Sequence, residues 1–335
     1  MSRSKEDVLA ALKQFKSHDA RWREGRVWAG VYDAGSEVEA VAQSAYTEFL
    51  NENALYINMF PSVLALETEV VNWVKQLLRA PADARGNFTH EGVSSMSADL
   101  HKYGYTAKNA STVIFRSAAL RRHALYANAH TTGYALVNST IASSRSSGPI
   151  AAAWATIQTL GDDGYARIVR DTMAATTRLR EGVNAIDGLR VMAEPAMCMF
   201  TMQCSVVSVF VIEDEMLARG WHVQTQFQAP GTPANLHLSI NQSNVTHVER
   251  FLADLKSSVE AARKEPPVNT QPLVAMVMQA LQNPQAMDLN ALMSQLGGGT
   301  GKMPERWAMI NTLLDALPDA VVDELLLECA NGLYA

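Results

Sequence analysis

Apolar residues recur every three or four positions in several segments of the chain, which is the spacing of one face of an α-helix. This pattern predicts helices over residues 5–18 and 36–51, and a longer helix that begins at Pro61-Ser62. The apolar face of that longer helix consists of Val63, Leu66, Val70, Val74 and Leu77. Residues 22–32 carry aromatic residues and glycines without helical spacing, so we expect a loop or arm there.

The second half of the chain mixes helical and β-type patterns. Helices are predicted over residues 149–159, 162–185 and 213–219, and Asn244 is expected to cap a helix that ends at Lys264. Runs rich in β-branched and aromatic residues predict strands over 111–116, 204–212, 221–227 and 234–240. A strand, helix, strand, strand, helix order of this kind indicates a small α+β module.

Beyond Pro266-Pro267 the chain returns to helical spacing, interrupted by Asn283-Pro284, by the glycine run 297–301 and by Pro318. A phosphate-binding loop is not expected at the glycine run, because the required spacing would need glycine where Leu296 stands. The predicted organisation is an N-terminal helical arm with an access loop (1–60), a lysine-bearing region (61–148), an α+β small domain (149–265) and a helical tail (266–335).

Composition narrows the class of protein. The 335 residues are 48% hydrophobic and 19% charged, which is typical of a folded chain. A net charge of −6 gives no general attraction for nucleic acid, so no nucleic-acid partner is expected. The longest apolar stretch, Val206 to Ile212, is far short of the ~20 residues of a spanning helix. The N-terminal residues lack an apolar signal core, so we expect a cytoplasmic location.

No metal site is predicted. Cys198, Cys204 and Cys329 form no C-x-x-C pair, and the eight histidines show no ligand spacing.

Candidate chemistry concentrates in Ser95-Met-Ser-Ala-Asp-Leu-His-Lys-Tyr-Gly-Tyr105. Lys102 follows a short strand of small residues, stands beside a histidine and precedes a glycine turn, an arrangement that suits an aldehyde cofactor. In a desolvated site near a second cation, the pKa of the lysine would fall and the amine would become nucleophilic. From the residues alone, a solvated loop lysine is the favoured interpretation.

The segment from Glu91 to Arg116 resembles the lysine loop of the pyridoxal-phosphate-dependent decarboxylase superfamily. Its pattern S-x-D-x-H-K-Y-G-Y-x-x-K is similar to that of the sphingosine-1-phosphate lyase-like branch. Residues 21–32, 53–69 and 140–145 resemble the arm, the access loop and the arginine loop of that branch, and the similarity covers most of residues 10–264. The implied fold is α/β and PLP-transferase-like (fold type I), with an α+β C-terminal small domain and a helical tail.

The resemblance implies roles for individual residues. Lys102 would bind pyridoxal 5'-phosphate covalently and His101 would contact its phosphate, with Ser97 and Asp99 as further cofactor-binding residues. Tyr105 and Lys108 would join Lys102 as catalytic residues that bind or protonate substrate. Substrate binding would fall to Asn58 and Arg145, and Arg145 would alternatively hold a loop of the partner subunit.

The reaction that the resemblance implies is a lyase reaction of sphingolipid metabolism, the retro-aldol cleavage of a phosphorylated long-chain amino alcohol to phosphoethanolamine and a fatty aldehyde. A homodimer is implied as well. Two alternatives stay open: a pyridoxal-phosphate-dependent amino-acid decarboxylase, and a non-catalytic remnant that serves as a dimerisation or binding module.

The chain departs from the family between the first long helix and the lysine strand. Family members place most of a seven-stranded parallel sheet there, whereas this chain has only residues 80–90. We therefore predict an internal deletion near residues 86–91 and a truncated sheet in what remains of the cofactor-binding large domain. The missing block would include the phosphate loop, the ring-stacking residue and the aspartate that pairs with the pyridine nitrogen.

Overall fold

The computed structural model describes residues 4–54, 59–80, 84–88, 95–129, 136–140, 145–281 and 306–333. Contacts divide the chain into two compact units, which we describe separately. The first unit consists of residues 1–30, 172–240 and 244–335, and the second of residues 31–171 and 241–243. The four-part domain division stays a prediction. None of the helices within the described ranges is long and apolar enough to cross a membrane.

The first half of the chain holds short elements separated by loops. Its helices are α1 (Lys5–Phe15), α2 (Ser36–Glu48), α3 (Pro61–Leu77) and α4 (Ala118–Arg122). Its strands are β1 (Arg85–Phe88), β2 (Ser95–Asp99), β3 (Ser111–Phe115), β4 (Tyr126–Asn128) and β5 (Leu136–Asn138). The helix α5 (Gly148–Asn184) follows, and its Gly161 has a non-helical backbone (φ 56°, ψ −177°), so the predicted break between two helices is confirmed.

The sheet of the second unit is small and antiparallel. Strand β3 lies between β1 and β2, while β4 and β5 form a separate pair. Helix α3 packs against this sheet through the buried residues Val63, Val70 and Val74 of its predicted apolar face. Leu77, at the end of the helix, is exposed instead. The predicted truncated sheet agrees with these described strands.

The first unit contains the α+β module that the sequence predicts. Its strands are β6 (Leu189–Val191), β7 (Met199–Cys204), β8 (Gln224–Gln226) and β9 (Asn235–Ser239), which form an antiparallel sheet in the order β6-β7-β9-β8. Its helices α6 (Val209–Ala218) and α7 (Val248–Ala262) pack against each other.

The predicted strand over residues 204–212 is wrong, and so is the start of the helix at residue 213. Strand β7 ends at Cys204, and Val209 already begins α6. The hydroxyl of Ser208 caps this helix by accepting the backbone N–H of Phe210 at 3.3 Å. The following four residues are all buried, and burial of this kind overrides the β preference of a branched apolar run.

The predicted cap at Asn244 is also wrong. A short 3-10 turn over Gln242–His247 precedes α7, and His247 occupies the cap position. The side chain of Asn244 is fully buried and donates to the carbonyl oxygens of Gly25 (3.2 Å) and Val27 (3.1 Å). Asn244 therefore binds the N-terminal arm rather than its own helix.

Further backbone contacts join the arm to this unit. Trp28 donates its N–H to the carbonyl oxygen of His222 at 2.9 Å, and its own carbonyl oxygen accepts the N–H of Ser239 at 2.9 Å. The Trp28 ring is fully buried and stacks on Phe251 with centroids 4.2 Å apart, and Trp221 meets both rings edge-on. The arm is thus part of the core of the first unit.

The helical tail consists of α8 (Gln271–Leu281), α9 (Ala308–Ala316) and α10 (Asp319–Leu333), while residues 282–305, with the glycine run, lie outside the described residues. Its own core contains Val277, Ile310, Leu313, Leu317 and Leu325. The buried carboxylate of Asp214 on α6 accepts the backbone N–H groups of Trp307 (2.6 Å) and Ala308 (3.1 Å). This charge at the N-terminus of α9 anchors the tail.

We expect Trp28→Ala to destabilise the protein by about 3–5 kcal/mol, because it removes a fully buried ring stacked on Phe251. Chemical denaturation followed by circular dichroism measures the loss. The matched control is Trp22→Ala, a half-buried ring of the same arm, which should cost about 1 kcal/mol or less. Equal losses for the two variants would contradict the packing role.

The carboxyl group of Glu213, which lies beside the tail, should make the stability of the protein depend on pH. Burial, and secondarily the charge of Asp214, raises the pKa of Glu213 to about 7. A raised carboxyl pKa means that the folded state binds more protons, so stability falls as the pH rises from about 4.5 to about 7 and then levels off. We expect Glu213→Gln to remove about 1–3 kcal/mol of the stability difference between pH 5 and pH 8. Denaturation curves that show the same difference in both proteins would refute this.

Candidate active site

The loop that carries Lys102 joins β2 to β3 and is closed by its own backbone. His101 donates its N–H to the carbonyl oxygen of Ala110 at 3.0 Å, and Thr106 donates to that of Leu100 at 3.2 Å. A tighter turn inside the loop has Tyr105 donating to the carbonyl oxygen of Lys102 at 3.0 Å. The lysine therefore lies just past the end of β2, with its side chain about half exposed.

Local sequence explains this turn. A Cβ at Gly104 would lie 2.6 Å from the carbonyl oxygen of Leu100, closer than any side chain allows. Tyr105 and Asn109 have positive φ angles of 57° and 67°. Asparagine adopts this conformation readily, whereas for tyrosine it costs about 1–3 kcal/mol. Burial of the Tyr105 side chain against Val38 holds that strain in place.

Lys102 forms a close ion pair with Asp99. Its Nζ lies 2.6 Å from Asp99 Oδ2, and the two side chains are 49% and 33% exposed. The other carboxylate oxygen, Oδ1, accepts the hydroxyl of Ser111 at 2.6 Å. Ser111 stands directly opposite Asp99 in the register of β2 and β3, so the sheet itself brings the hydroxyl to the carboxylate.

The expectation of a lowered lysine pKa is wrong. The hydrogen bond and charge of Asp99 raise the pKa of Lys102, and the hydrogen bonds from Lys102 and Ser111 lower that of Asp99. The sequence-based expectation assumed a desolvated amine with a second cation nearby. In the structure the amine is half exposed and faces a carboxylate, so Lys102 is held as the ammonium ion.

The imidazole of His101 is oriented by the same loop. Its Nδ1 lies 3.0 Å from the carbonyl oxygen of Ala110 and 3.4 Å from Ser111 Oγ. Because a carbonyl oxygen only accepts, the 3.0 Å contact requires the proton on Nδ1. Nε2 is then the ring atom for the predicted phosphate contact, which stays a prediction.

The remaining lysine-loop residues lie near an aromatic group of the arm. Lys108 Nζ is 5.8 Å from the centroid of the Tyr32 ring, which also meets the Tyr103 ring edge-on at 5.0 Å. Ser97 is exposed on β2, two residues before Asp99 and so on the same face of the strand. The catalytic or binding roles of Tyr105, Lys108 and Ser97 stay predictions.

Arg145 is held inside the second unit. Its guanidinium forms a two-pronged ion pair with Glu67 at 3.0 and 3.2 Å and also donates to the carbonyl oxygen of Ala54 at 3.2 Å. Both charged side chains are nearly buried, at 12% and 11% exposure. These contacts fix the segment at Asn53–Ala54 to α3, while a substrate role for Arg145 stays a prediction. Asn58, the other predicted substrate residue, lies outside the described residues.

Sequence reasoning did not assign roles to Ser111, Tyr32 and Glu67. Ser111 could have been found from the strand register, because the loop length sets Asp99 opposite it. Tyr32 lies about seventy positions from the lysine loop, and no local pattern links the two. A glutamate on the buried face of a predicted helix, as Glu67 is, signals a paired charge but not its partner.

The site fits the aldehyde end of a cofactor. It offers an accessible amine on a rigid turn, with a histidine and a hydroxyl beside it. A Ser/Thr-Gly-Gly-Thr-Glu-Ser phosphate loop is missing from the sequence. Within the described ranges, no cluster of three or more histidine, cysteine or acidic residues could hold a metal ion.

Comparison with known proteins gives four findings. Residues 271–331 match the family described as "Pyridoxal-dependent enzyme, C-terminal putative HTH domain". A sphingosine-1-phosphate lyase of Arabidopsis thaliana is 33% identical over 234 residues, 70% of this chain and 38% of that protein. A solved sphingosine-1-phosphate lyase from Burkholderia pseudomallei has a TM-score of 0.72 at 20% identity, covering 84% of this chain and 96% of that chain. A solved glutamate decarboxylase from Lactobacillus brevis has a TM-score of 0.68 at 12% identity, covering 80% and 95%.

The fold is therefore that of the pyridoxal-phosphate-dependent decarboxylases, as predicted. The sequence similarity to sphingosine-1-phosphate lyases supports the predicted resemblance to that branch of the superfamily. The chain spans about two fifths of the length of the first curated relatives it matches.

The matched tail does not have the charge of a DNA-binding helix-turn-helix. Residues 271–331 contain seven acidic residues, Asp288, Glu305, Asp315, Asp319, Asp323, Glu324 and Glu328, against two basic ones, Lys302 and Arg306. Arg306 is itself paired with Asp214, Glu215 and Glu265. Affinity for nucleic acid comes mainly from basic groups that neutralise phosphates, so the charge of this tail does not favour binding to nucleic acid.

Gly104→Ala should destabilise the lysine loop, because the added methyl meets backbone atoms of Leu100 that cannot rotate away. We expect a loss of about 1–3 kcal/mol in denaturation experiments, with faster hydrogen exchange in the loop. Gly220→Ala serves as the control, since Gly220 has open space around its Cβ position and bears only the strain of its positive φ. An unchanged exchange rate in the Gly104→Ala loop would contradict the argument.

Proposed function

We propose that this chain is a pyridoxal-phosphate-dependent carbon–carbon lyase that cleaves a phosphorylated long-chain amino alcohol to phosphoethanolamine and a fatty aldehyde. The observation that carries the proposal is the 33% identity with a sphingosine-1-phosphate lyase over 234 residues. The accessible amine of Lys102, on a turn built by its own sequence, supports it.

When bound, the cofactor supplies an electron-accepting pyridine ring for breaking a bond next to the substrate amine. Lys102 would bind its aldehyde, and His101 would contact its phosphate through Nε2. Ser97 and Asp99 would line the same face of β2. Lys108 and the hydroxyl of Tyr105 would bind substrate or carry protons at the leaving oxygen.

The proposal extends to the assembly and to the gap in the chain. We infer a homodimer by the family resemblance, and an internal deletion near residues 86–91 from the short segment between α3 and β2. Part of that segment, residues 89–94, lies outside the described residues. A cytoplasmic location is likewise part of the proposal.

Addition of pyridoxal phosphate to the purified chain should produce the near-visible absorption band of a lysine-bound cofactor. We expect Lys102→Ala to abolish the band and Lys256→Ala to keep it, because Lys256 is an exposed lysine of α7. Borohydride trapping with peptide mapping should find the label on Lys102. A folded chain without the band, or a band that survives Lys102→Ala, would reject the proposed cofactor chemistry and favour the non-catalytic remnant.

A substrate assay separates the lyase from a decarboxylase, the class of the Lactobacillus brevis structural neighbour. The loaded protein is given a phosphorylated sphingoid base in one arm, and glutamate or aromatic amino acids in the other. Release of a fatty aldehyde supports the lyase, whereas release of carbon dioxide identifies the decarboxylase.

A further inference from the structure

The carboxylate of Asp99 has both of its oxygens engaged. Oδ2 receives Lys102 Nζ at 2.6 Å, and Oδ1 receives the hydroxyl of Ser111 at 2.6 Å. Two donors on opposite oxygens fix the plane of a carboxylate. Asp99 is therefore oriented toward Lys102 rather than free to rotate.

Both contacts follow from the backbone. The antiparallel register of β2 and β3 sets Ser111 directly across from Asp99, and Ser111 is buried. The N–H of Lys102 donates to the carbonyl oxygen of Asp99 at 3.0 Å, a turn that brings these two side chains together at a spacing of three residues. The arrangement is thus part of the loop's fold and not a chance meeting of two surface charges.

Two neighbouring side chains act in the same direction as this pair. The electrostatic effect of Tyr32, a residue of the arm, also raises the pKa of Lys102, whereas the slight burial of the amine lowers it. His101 acts on Asp99 in the same direction as Lys102, by favouring the ionised carboxylate. Lys108 lies over the same Tyr32 ring, with its Nζ 5.8 Å from the ring centroid.

We propose that Asp99, oriented by Ser111, is a positioning residue that restrains the Lys102 amine in its ammonium form until the ion pair opens. The inference rests on the proposed function, in which this amine reacts with an aldehyde. It adds a role for Ser111 and a specific role for Asp99.

The chemistry of the amine explains the consequence. An ammonium nitrogen has no lone pair, so Nζ must first lose one proton to solvent before it can attack an aldehyde carbon. The carboxylate keeps its charge throughout. After attack, the two protons left on the nitrogen depart with the aldehyde oxygen as water, so the nitrogen no longer donates to Asp99. The restraint therefore slows capture of an aldehyde.

Competitive labelling with trace 1-fluoro-2,4-dinitrobenzene tests the restraint without any cofactor, because the reagent reacts with a lysine amine only in its neutral form. Peptide mass spectrometry follows Lys102 across pH 7–11, with exposed Lys256 as the internal reference. In Asp99→Asn, the pH at which Lys102 labelling reaches half of its maximum should fall toward the ordinary lysine pKa of about 10.4. Each pH unit by which this midpoint falls means about tenfold faster labelling at pH 8. Ser111→Ala should shift it in the same direction by less, and Asp99→Glu should restore most of the restraint.

The inference would be overturned if Asp99→Asn left the labelling midpoint of Lys102 unchanged relative to that of Lys256. If that variant does not fold, Ser111→Ala decides, since an unchanged midpoint there also overturns it. The labelling result is separate from the absorption band, so a chain that shows the shift but never binds pyridoxal phosphate would refute the proposed function and leave the restraint established.

Discussion

The antiparallel register of β2 and β3 is the constraint on which the lysine site depends. It places Ser111 across from Asp99 and brings the ends of the intervening loop together at His101 and Ala110. A shift of one residue would turn every side chain of β2 to the other face of the sheet. The ion pair, the orientation of the imidazole and the position of the amine would all be lost together.

The second unit maintains that register although the sheet has only three strands within the described residues. Helix α3 covers β1 and β3, and its buried valines share one core with Leu100, Ala110 and Ile114 around the lysine loop. The phenol of Tyr165 adds a direct tie, because it donates to the carbonyl oxygen of Gly104 at 2.8 Å. Burial raises the pKa of that phenol, which favours the neutral form that donates this hydrogen bond. A three-stranded sheet is enough to fix the conformation of this loop because α3, which precedes the sheet in the chain, and α5, which follows it, both contribute residues to its core.

Much of the fold could be predicted from spacing alone. The helix that starts at Pro61, the break at Gly161 and the strands around residues 224–239 all follow from local rules of periodicity and backbone conformation. The run 204–212 could not, because its helical state is decided by burial of Val209 to Ile212 and not by intrinsic preference. The site shows the same division. The sequence indicated Lys102, but the sign of its pKa shift depends on a carboxylate whose direction only the folded loop determines.

The attachment of the tail has a practical consequence for handling this protein. The side chain of Asp214 is nearly inaccessible to water, and residues 306–308 supply its donors. A chain cut after the second proline at position 267 would lose these donors and the helix α9 that packs on α6 beside Asp214 and Glu213. The sequence suggests the proline pair as an expression boundary. A fragment that ends there would be prone to aggregate rather than form a stable domain.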